Sequence, residues 1–290
     1  HILGSTIAEI AAEKSGIIKP GATAVIAAQQ PEAARILMQR CAEVEALPVL
    51  EGPGFSLLER RLAVGGQVVR LQGAEPFGDI HLPLHGEHMA HNAALALAAV
   101  EAFRGGTALT PEVVQDGLSA IDLPARLELM TQHPPTLIDT AHNPHGVRAT
   151  LATVLEAHDF RPLIGVVAMM RDKDVDTVMG LLAEVLDHVV VTTVSSTDRS
   201  LRPEDLADIA AGVFGAGRVD RADSMPEALE LAHTLAEQAG RELASWSSDR
   251  CSLPVRPAPC CCPCNAVNGP KQVPIRCCMW AVSYTHLTLP

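Results

Sequence analysis

The stretch of sequence that decides the fold is Leu137-Ile138-Asp139-Thr140-Ala141-His142-Asn143-Pro144-His145-Gly146. An apolar run with strand character passes into a polar turn, and Pro144 stands where a helix begins. In a parallel α/β sheet the ligand lies beyond the carboxyl ends of the strands. Asp139 and His142 follow such an end, so they are candidates for contacts to a ribose or phosphate, or for proton transfer. An ordinary Asp/Asn turn with a capping role is the alternative.

The residues after this stretch alternate between strand and helix patterns. Further strands are predicted at 163–168, 188–194 and near 218–220, and helices at 146–157, 175–186, 203–212 and 226–239. This order is typical of a doubly wound α/β domain built on a parallel sheet. We expect the domain to cover residues 123–242. A charged segment, Met169 to Asp174, follows one of its strands and therefore belongs to the ligand side of the sheet.

The residues before 123 have the same α/β character, with one insertion. Apolar spacing and the positions of Pro and Gly predict a strand at 22–28 and helices at 31–46, 88–103 and 111–118. Between Phe55 and Leu84, short alternating runs are broken by glycines, which predicts a small antiparallel meander. The boundary between the two parts is expected near Asp122 to Pro124.

Two polar side chains on helices of this first part stand out. Lys14 lies just before Gly16, where its helix ends, so it either complements the helix dipole or has a functional role. Asn92 lies in an alanine-rich helix, where an amide is unfavourable unless its donor and acceptor are used, for instance on a purine edge. The nearby His88 and His91 lack a clear carboxylate partner, which favours helix capping over metal binding.

The composition narrows the function classes. The formal net charge is −12 over 290 residues, which argues against non-specific nucleic-acid binding, because that requires a basic surface. No apolar run reaches the roughly 20 residues that cross a bilayer, and the first residues do not resemble a signal peptide. We therefore expect a cytoplasmic protein without a nucleic-acid or membrane partner.

The last part of the chain has a different composition. Seven of the eight cysteines fall between Cys251 and Cys278, in contiguous runs without the paired spacing of a zinc module. We interpret residues 243–290 as a non-native or disordered cysteine-rich tail, to be excluded from the fold. Deletion of everything beyond Glu242 is then expected to leave stability unchanged.

Several motifs in this order resemble the folylpolyglutamate synthase and dihydrofolate synthase family of the Mur ligase superfamily. Residues 3–19 are similar to the family signature Leu-Gly-x-Thr-x-x-x-Ile-Ala-x-Glu-Lys-x-Gly-Ile-Ile-Lys. Residues 139–145 are similar to its Asp-x-Ala-His-Asn-Pro-His motif. The resemblance extends from about His1 to Ala239. It implies a Mur-ligase-type fold, in which residues 1–122 are the remainder of the central ATP-binding domain and residues 123–242 the Rossmann-like C-terminal glutamate ligase domain.

The resemblance also implies roles for individual residues. It implies nucleotide contacts from four residues: Asn92, Arg126, Asp139 and His142. Lys14 would be carbamylated, and its new carboxylate would help to hold Mg²⁺, with the other metal ligands missing from the chain. Lys173 would be a candidate contact for the incoming L-glutamate. Read from the sequence alone, Arg126 is only a surface arginine near a domain boundary.

The implied activity is ATP- and Mg²⁺-dependent ligation of L-glutamate to folates or dihydropteroate through an acyl phosphate, the acid–amino-acid ligation of the tetrahydrofolate synthase type. The chain contains no Gly-x-x-x-x-Gly-Lys-Ser/Thr loop. We therefore expect a fragment that lacks the P-loop region and is inactive alone, and a monomer when complete. The alternatives are a Mur-type peptidoglycan ligase and a non-catalytic doubly wound nucleotide-binding domain.

Overall fold

The computed structural model describes residues 6–132, 134–158, 160–248 and 278–282. The chain forms two compact units, which meet in sequence between Asp122 and Leu123. No helix in these described ranges combines the length and the apolar character needed to cross a membrane. The α/β class expected from the sequence is confirmed.

The first unit contains four helices and five strands in its described part. They are α1 (Ile7–Ser15), β1 (Thr23–Ile26), α2 (Pro31–Glu43), β2 (Leu47–Leu50), β3 (Ser56–Ala63), β4 (Gly66–Gln72), β5 (Pro76–Leu82), α3 (Glu87–Phe103) and α4 (Pro111–Ser119). β1 and β2 pair in parallel, and β3, β4 and β5 form the antiparallel meander that the sequence predicted. β2 was not predicted, because a run of four residues that includes Pro48 gives almost no strand signal.

One face of the meander packs on α3. Val69 and Leu71 lie two residues apart on β4, so their side chains point to the same face of the strand. Both are fully buried. Ala90 and Ala94, four residues apart on α3, are also fully buried in this cluster. Small side chains on the helix let its backbone approach the sheet closely, so the alanine-rich composition of α3 reflects packing.

The second unit is built around one six-stranded sheet. Its elements are β6 (Arg126–Gln132), β7 (Pro135–Asp139), α5 (Pro144–Ala157), β8 (Leu163–Val167), α6 (Val175–Ala183), β9 (His188–Val191), α7 (Pro203–Phe214), a 3-10 turn (Ala216–Arg218), β10 (Val219–Arg221), α8 (Met225–Ser248) and β11 (Cys278–Val282). The strand order is β10-β9-β8-β11-β7-β6. Most of the helix and strand positions predicted from the sequence are found, with small shifts at their ends.

Helices cover both faces of this sheet. Val189 and Val191 on β9 face the cluster formed with α5, α6 and α7, whereas Val190 between them faces α8. All three are fully buried, which explains why the strand sequence is continuously apolar. Gly165 on β8 leaves room for Leu186, because a Cβ at Gly165 would lie 2.5 Å from Leu186 Cδ1. The doubly wound arrangement is confirmed.

The expectation of an entirely parallel sheet is wrong at one edge. β6, which was not predicted, pairs with β7 in the antiparallel direction. β6 ends at Gln132 and β7 begins at Pro135. Such a short connection permits only a hairpin, since a parallel crossover needs a dozen residues or more.

The interpretation of residues 243–290 as a tail outside the fold is wrong for two segments. α8 continues to Ser248, and Cys278–Val282 forms β11. β11 pairs in parallel with both β7 and β8, which do not pair with each other. The space between these two strands must be filled, because each presents unpaired backbone groups there. Residues 249–277 and 283–290 lie outside the described residues.

The pairing of β11 with β7 and β8 leads to the opposite prediction from the one drawn from composition, because deletion of this segment should now reduce stability. Deletion of residues 249–290 removes β11 and leaves two buried strand edges unpaired. The loss is expected to be about 3 kcal/mol or more, equivalent to a fall of roughly 10 °C in the melting midpoint. Circular dichroism melts measure it. Deletion of residues 283–290 alone, which keeps β11, is the control, and equal midpoints for both deletions would contradict the assignment.

Candidate functional site

The candidate site of the second unit lies at the carboxyl edge of its sheet. β7, β8 and β9 run in the same direction, since β11 is parallel to β7 and β8, and β8 is parallel to β9. The loops that follow these strands therefore emerge at one edge, where open α/β sheets bind ligands. Asp139 is the last residue of β7, and His142 belongs to the loop that follows it. Lys173 belongs to the loop after β8, which is two strands further along because β11 lies between β7 and β8.

Asp139, at the end of β7, is 5% exposed, and its carboxylate is used inside the protein. Oδ1 accepts hydrogen bonds from the Ala141 N–H at 2.8 Å and from Thr150 Oγ1 at 2.9 Å. Oδ2 accepts from the Leu127 N–H at 3.1 Å. The carboxylate thus joins β6, the turn after β7 and helix α5. Its contact with a nucleotide stays a prediction.

Arg126 is presented by a strained β-bulge. Its neighbours Ala125 and Leu127 have φ values of 56° and 50°, in the left-handed region that is unfavourable for residues with a side chain. The Ala125 N–H donates to Glu128 Oε2 at 2.8 Å, and the Leu127 N–H donates to Asp139. Two carboxylates therefore hold the strained backbone. The Arg126 side chain is exposed and has no hydrogen-bond or ion-pair partner among the described residues.

The turn after β7 combines a cap with a half-buried histidine. Asn143 is the N-cap of α5, and its Oδ1 accepts a hydrogen bond from the Gly146 N–H at 2.9 Å. The capping alternative raised from the sequence is therefore confirmed for this residue. His142 Nδ1 lies 3.1 Å from the Thr140 carbonyl oxygen. Donation by Nδ1 leaves Nε2 as an acceptor in the neutral ring.

The loops after β8 and β9 bring three charged side chains together. Asp172 Oδ1 lies 2.8 Å from Arg199 Nη2, and its Oδ2 lies 3.3 Å from Lys173 Nζ. Burial acts to raise the pKa of the Asp172 carboxyl, but the hydrogen bonds from Arg199 and Lys173 outweigh it and hold that pKa below its ordinary value. Sequence reasoning pointed to Lys173 and missed Arg199, although Arg199 also follows a strand that ends at this edge.

Lys14 occupies the last turn of α1 in the first unit. The helix begins with a capping box, in which the Glu9 N–H donates to Thr6 Oγ1 at 3.2 Å and the Thr6 N–H donates to Glu9 Oε2 at 3.1 Å. The exposed Lys14 side chain has no partner in the described part of the chain. It lines a cavity of about 450 Å³ whose walls are mainly apolar and include Ile18 and Leu95.

Asn92 is exposed on α3, with its Nδ2 3.9 Å from Met89 Sδ, which is at most a weak hydrogen bond. Its amide is therefore accessible, as a contact with a purine requires. Leu95, one turn later on α3, lines the cavity beside Lys14. The two predicted residues of this unit thus lie on elements that border one cavity.

His91 does not cap the helix, contrary to expectation. The N-cap of α3 is Gly86, with φ of 97° and no side-chain cap. His91 Nδ1 instead lies 2.5 Å from Glu51 Oε1, and Glu51 Oε2 accepts from the Ala28 N–H at 2.8 Å. The Glu51 side chain, 10% exposed, therefore links the ends of β1 and β2 to the first turns of α3. The partner was hidden in the sequence because it lies forty residues away.

The described residues contain no group of three or more His, Cys, Asp or Glu side chains placed to hold a metal ion. A lysine ammonium is not a metal ligand, so Lys14 can serve only after it gains a carboxylate.

A protein-family model described as "Mur ligase, glutamate ligase domain" matches residues 125–242. The dihydrofolate synthase/folylpolyglutamate synthase of Mycobacterium tuberculosis is 43% identical over 250 residues, covering 83% of this chain and 51% of the relative. The Bacillus subtilis protein of the same name is 32% identical over 212 residues, covering 72% and 49%. The chain spans about half the length of the curated relatives it matches.

Solved structures give the same result. The Mycobacterium tuberculosis folylpolyglutamate synthase complexed with ADP superposes with a TM-score of 0.82 at 38% identity, over 97% of this chain and 57% of the other. A structure described as an FPGS-AMPPCP-folate complex superposes with a TM-score of 0.63 at 28% identity, over 80% of this chain and 57% of the other.

The Glu51 pair predicts a pH-dependent stability. Burial acts to raise the pKa of Glu51, but hydrogen bonds from the Ala28 N–H and His91 hold it below the usual 4.5. Because the folded pKa is lowered, the stabilisation is present above pH 4.5 and is lost as the pH falls through the lower folded value. Glu51→Gln is expected to lose about 1–3 kcal/mol at pH 7 and to show a smaller acid dependence in urea titrations.

Glu87→Gln is the matched control for this prediction. Glu87 is exposed, and its Oε1 lies 3.9 Å from the other ring nitrogen of His91. An exposed pair of this length contributes little, so this variant should keep wild-type stability at every pH. Equal behaviour of the two variants would contradict the role given to Glu51.

Proposed function

This chain belongs to the folylpolyglutamate synthase and dihydrofolate synthase family, and we propose that it takes part in ATP-dependent ligation of L-glutamate to folates or dihydropteroate. The observation that carries the proposal is that two loops with polar side chains emerge at the same edge of the sheet. The exposed Arg126 and the half-buried His142 lie beside the end of β7, and Lys173 lies beyond β8. All three fall within the residues matched to the glutamate ligase domain.

In the proposed reaction, a carboxylate oxygen of the pterin-containing substrate attacks the γ-phosphorus of ATP, and ADP leaves. The amino nitrogen of glutamate then attacks the acyl phosphate, phosphate leaves, and the nitrogen releases a proton as the amide forms. Arg126 supplies a fixed positive charge to the phosphates. His142 Nε2 accepts a hydrogen bond from the nucleotide, and Lys173 contacts a glutamate carboxylate.

Asp139 supports the nucleotide contacts from within the protein. Its bonds to Leu127 and Ala141 fix the bulge that carries Arg126 and the turn that carries His142. In the first unit, the exposed amide of Asn92 is assigned to the adenine edge. Magnesium would neutralise phosphate charge during the transfer, and the Lys14 carbamate would be one of its ligands. We place the enzyme in the cytoplasm, as a monomer.

The relatives support the folate reaction over ligation of a peptidoglycan precursor. The curated proteins compared above are named for folates, and one compared structure is described as a complex with folate. The resemblance to nucleotide-bound enzymes likewise favours a catalytic role over a non-catalytic binding domain.

The function is tested with a fusion in which this chain follows the N-terminal half of the Mycobacterium tuberculosis relative. Glutamate-dependent ADP release and a glutamylated product are expected with dihydropteroate or tetrahydrofolate. Arg126→Ala should raise the KM for ATP about 10- to 100-fold, because a charge-assisted contact is lost, without changing the KM for glutamate. Arg148→Ala, an exposed arginine on α5, is the control. Product formed only with a UDP-muramyl substrate would contradict the folate assignment.

The role of Lys14 is tested without an activity assay. The neutral amine attacks carbon dioxide and releases a proton, which gives a carbamate. With ¹³C-labelled bicarbonate and magnesium, the fusion should show one protein carbamate signal in ¹³C NMR that is missing in Lys14→Arg. Lys19→Arg, whose Nζ is 2.7 Å from the Gly16 carbonyl oxygen, should retain it. A signal that survives Lys14→Arg, or no signal at all, would refute the assignment.

A further inference from the structure

The loops after β8 and β9 are joined by their backbones at the carboxyl edge of the sheet. The Arg171 N–H donates to the Arg199 carbonyl at 3.0 Å. The Leu201 N–H donates to the Met169 carbonyl at 2.8 Å. Because β8 and β9 pair in parallel, both loops leave the same edge. These two backbone hydrogen bonds join the two loops into one segment.

Ser200 anchors this joined segment to the end of β9. It is 5% exposed, and its Oγ accepts hydrogen bonds at 3.0 Å from both the Val194 N–H and Thr193 Oγ1. Arg171 Nε donates to the Ser200 carbonyl at 3.2 Å. The residue next to Arg199 is thereby fixed in the core, so the position from which the Arg199 side chain extends is well defined.

The carboxylate of Asp172 accepts hydrogen bonds from two cations on this joined segment. Arg199 and Lys173 contact its two different oxygens, at 2.8 and 3.3 Å. Arg199 and Asp172 are about half exposed, at 51% and 46%. Ion pairs this exposed add little to folding stability, so stability does not account for the arrangement. The arrangement shows, however, that a carboxylate fits between the Arg199 guanidinium and the Lys173 ammonium.

We propose that Arg199 binds a carboxylate of the incoming glutamate, and that Asp172 is a positioning residue that holds Arg199 beside Lys173. The inference rests on the proposed ligase function, because that function makes an amino acid with two carboxylates the expected ligand at this edge. A guanidinium presents a planar fork of donors that matches a carboxylate. Arg199 lies within the residues matched to the glutamate ligase domain, and about half of its side chain is exposed to solvent.

The test uses the full 290-residue chain and L-glutamate as the probe. Titration followed by ¹⁵N NMR of the arginine Nε–H groups should shift the Arg199 signal. Arg199→Lys keeps the charge but removes the fork, so it should weaken glutamate binding about tenfold or more. Arg202→Lys is the matched control, because Arg202 is an exposed arginine paired with Asp205 at 2.6 Å. It should bind glutamate as the unchanged chain does.

A second pair of variants separates positioning from folding. Asp172→Asn should weaken glutamate binding while leaving the melting midpoint unchanged, since the ion pair is exposed. Asp172→Glu, which keeps the charge, should restore part of the affinity. If the affinity for glutamate and the melting midpoint fall together in both variants, Asp172 has only a structural role. That result would overturn its assignment as a positioning residue.

The central assignment fails if the full chain does not bind glutamate, or if Arg199→Lys binds it as tightly as the unchanged chain. These results leave the ligase proposal intact as long as the fusion forms product. The opposite outcome is also distinguishable. If the fusion forms no product but the full chain binds glutamate through Arg199, the ligase proposal is refuted and the carboxylate site is not.

Discussion

The second unit depends on the hydrogen bonds accepted by one buried carboxylate, that of Asp139. A buried anion is tolerated only when its oxygens are satisfied, and the three donors come from β6, from the turn after β7 and from α5. These elements cannot separate without leaving a charge unpaired. The same bonds hold Leu127 in its left-handed conformation and so present Arg126 at the surface. The position of the exposed Arg126 side chain therefore depends on hydrogen bonds to a carboxylate inside the core.

Most of the fold could be predicted from the sequence, because its elements follow local rules. The apolar run of β9 and the Asn143-Pro144 start of α5 are legible from composition and position alone. The failures are equally physical. β2 is too short to give a signal, and β6 carries polar residues along an exposed sheet edge. β11 lies in a cysteine-rich segment whose composition resembles no ordinary strand, and only the space between β7 and β8 gives it a place.

The candidate site was predictable in part, and the missed residues share one property. Asp139 ends a strand, and His142 and Lys173 lie in loops that follow strands, so the sequence indicates that they lie at an edge. The partners that the sequence did not reveal come from distant positions: Glu51 contacts His91, and Arg199 contacts Asp172. No local pattern encodes such pairs. The sequence therefore indicates where chemistry is placed, whereas the tertiary structure shows which side chains hold it there.

The position of β11 has a consequence for synthesis on the ribosome. β11 lies inside the sheet, between strands made more than a hundred residues earlier. Contacts of such long range form late, and chains that depend on them fold slowly. Since domains fold as the chain emerges, the nascent unit must wait with two strand edges open. Open edges invite pairing with other chains, so this unit is most exposed to aggregation, and most in need of chaperones, until β11 has left the ribosome.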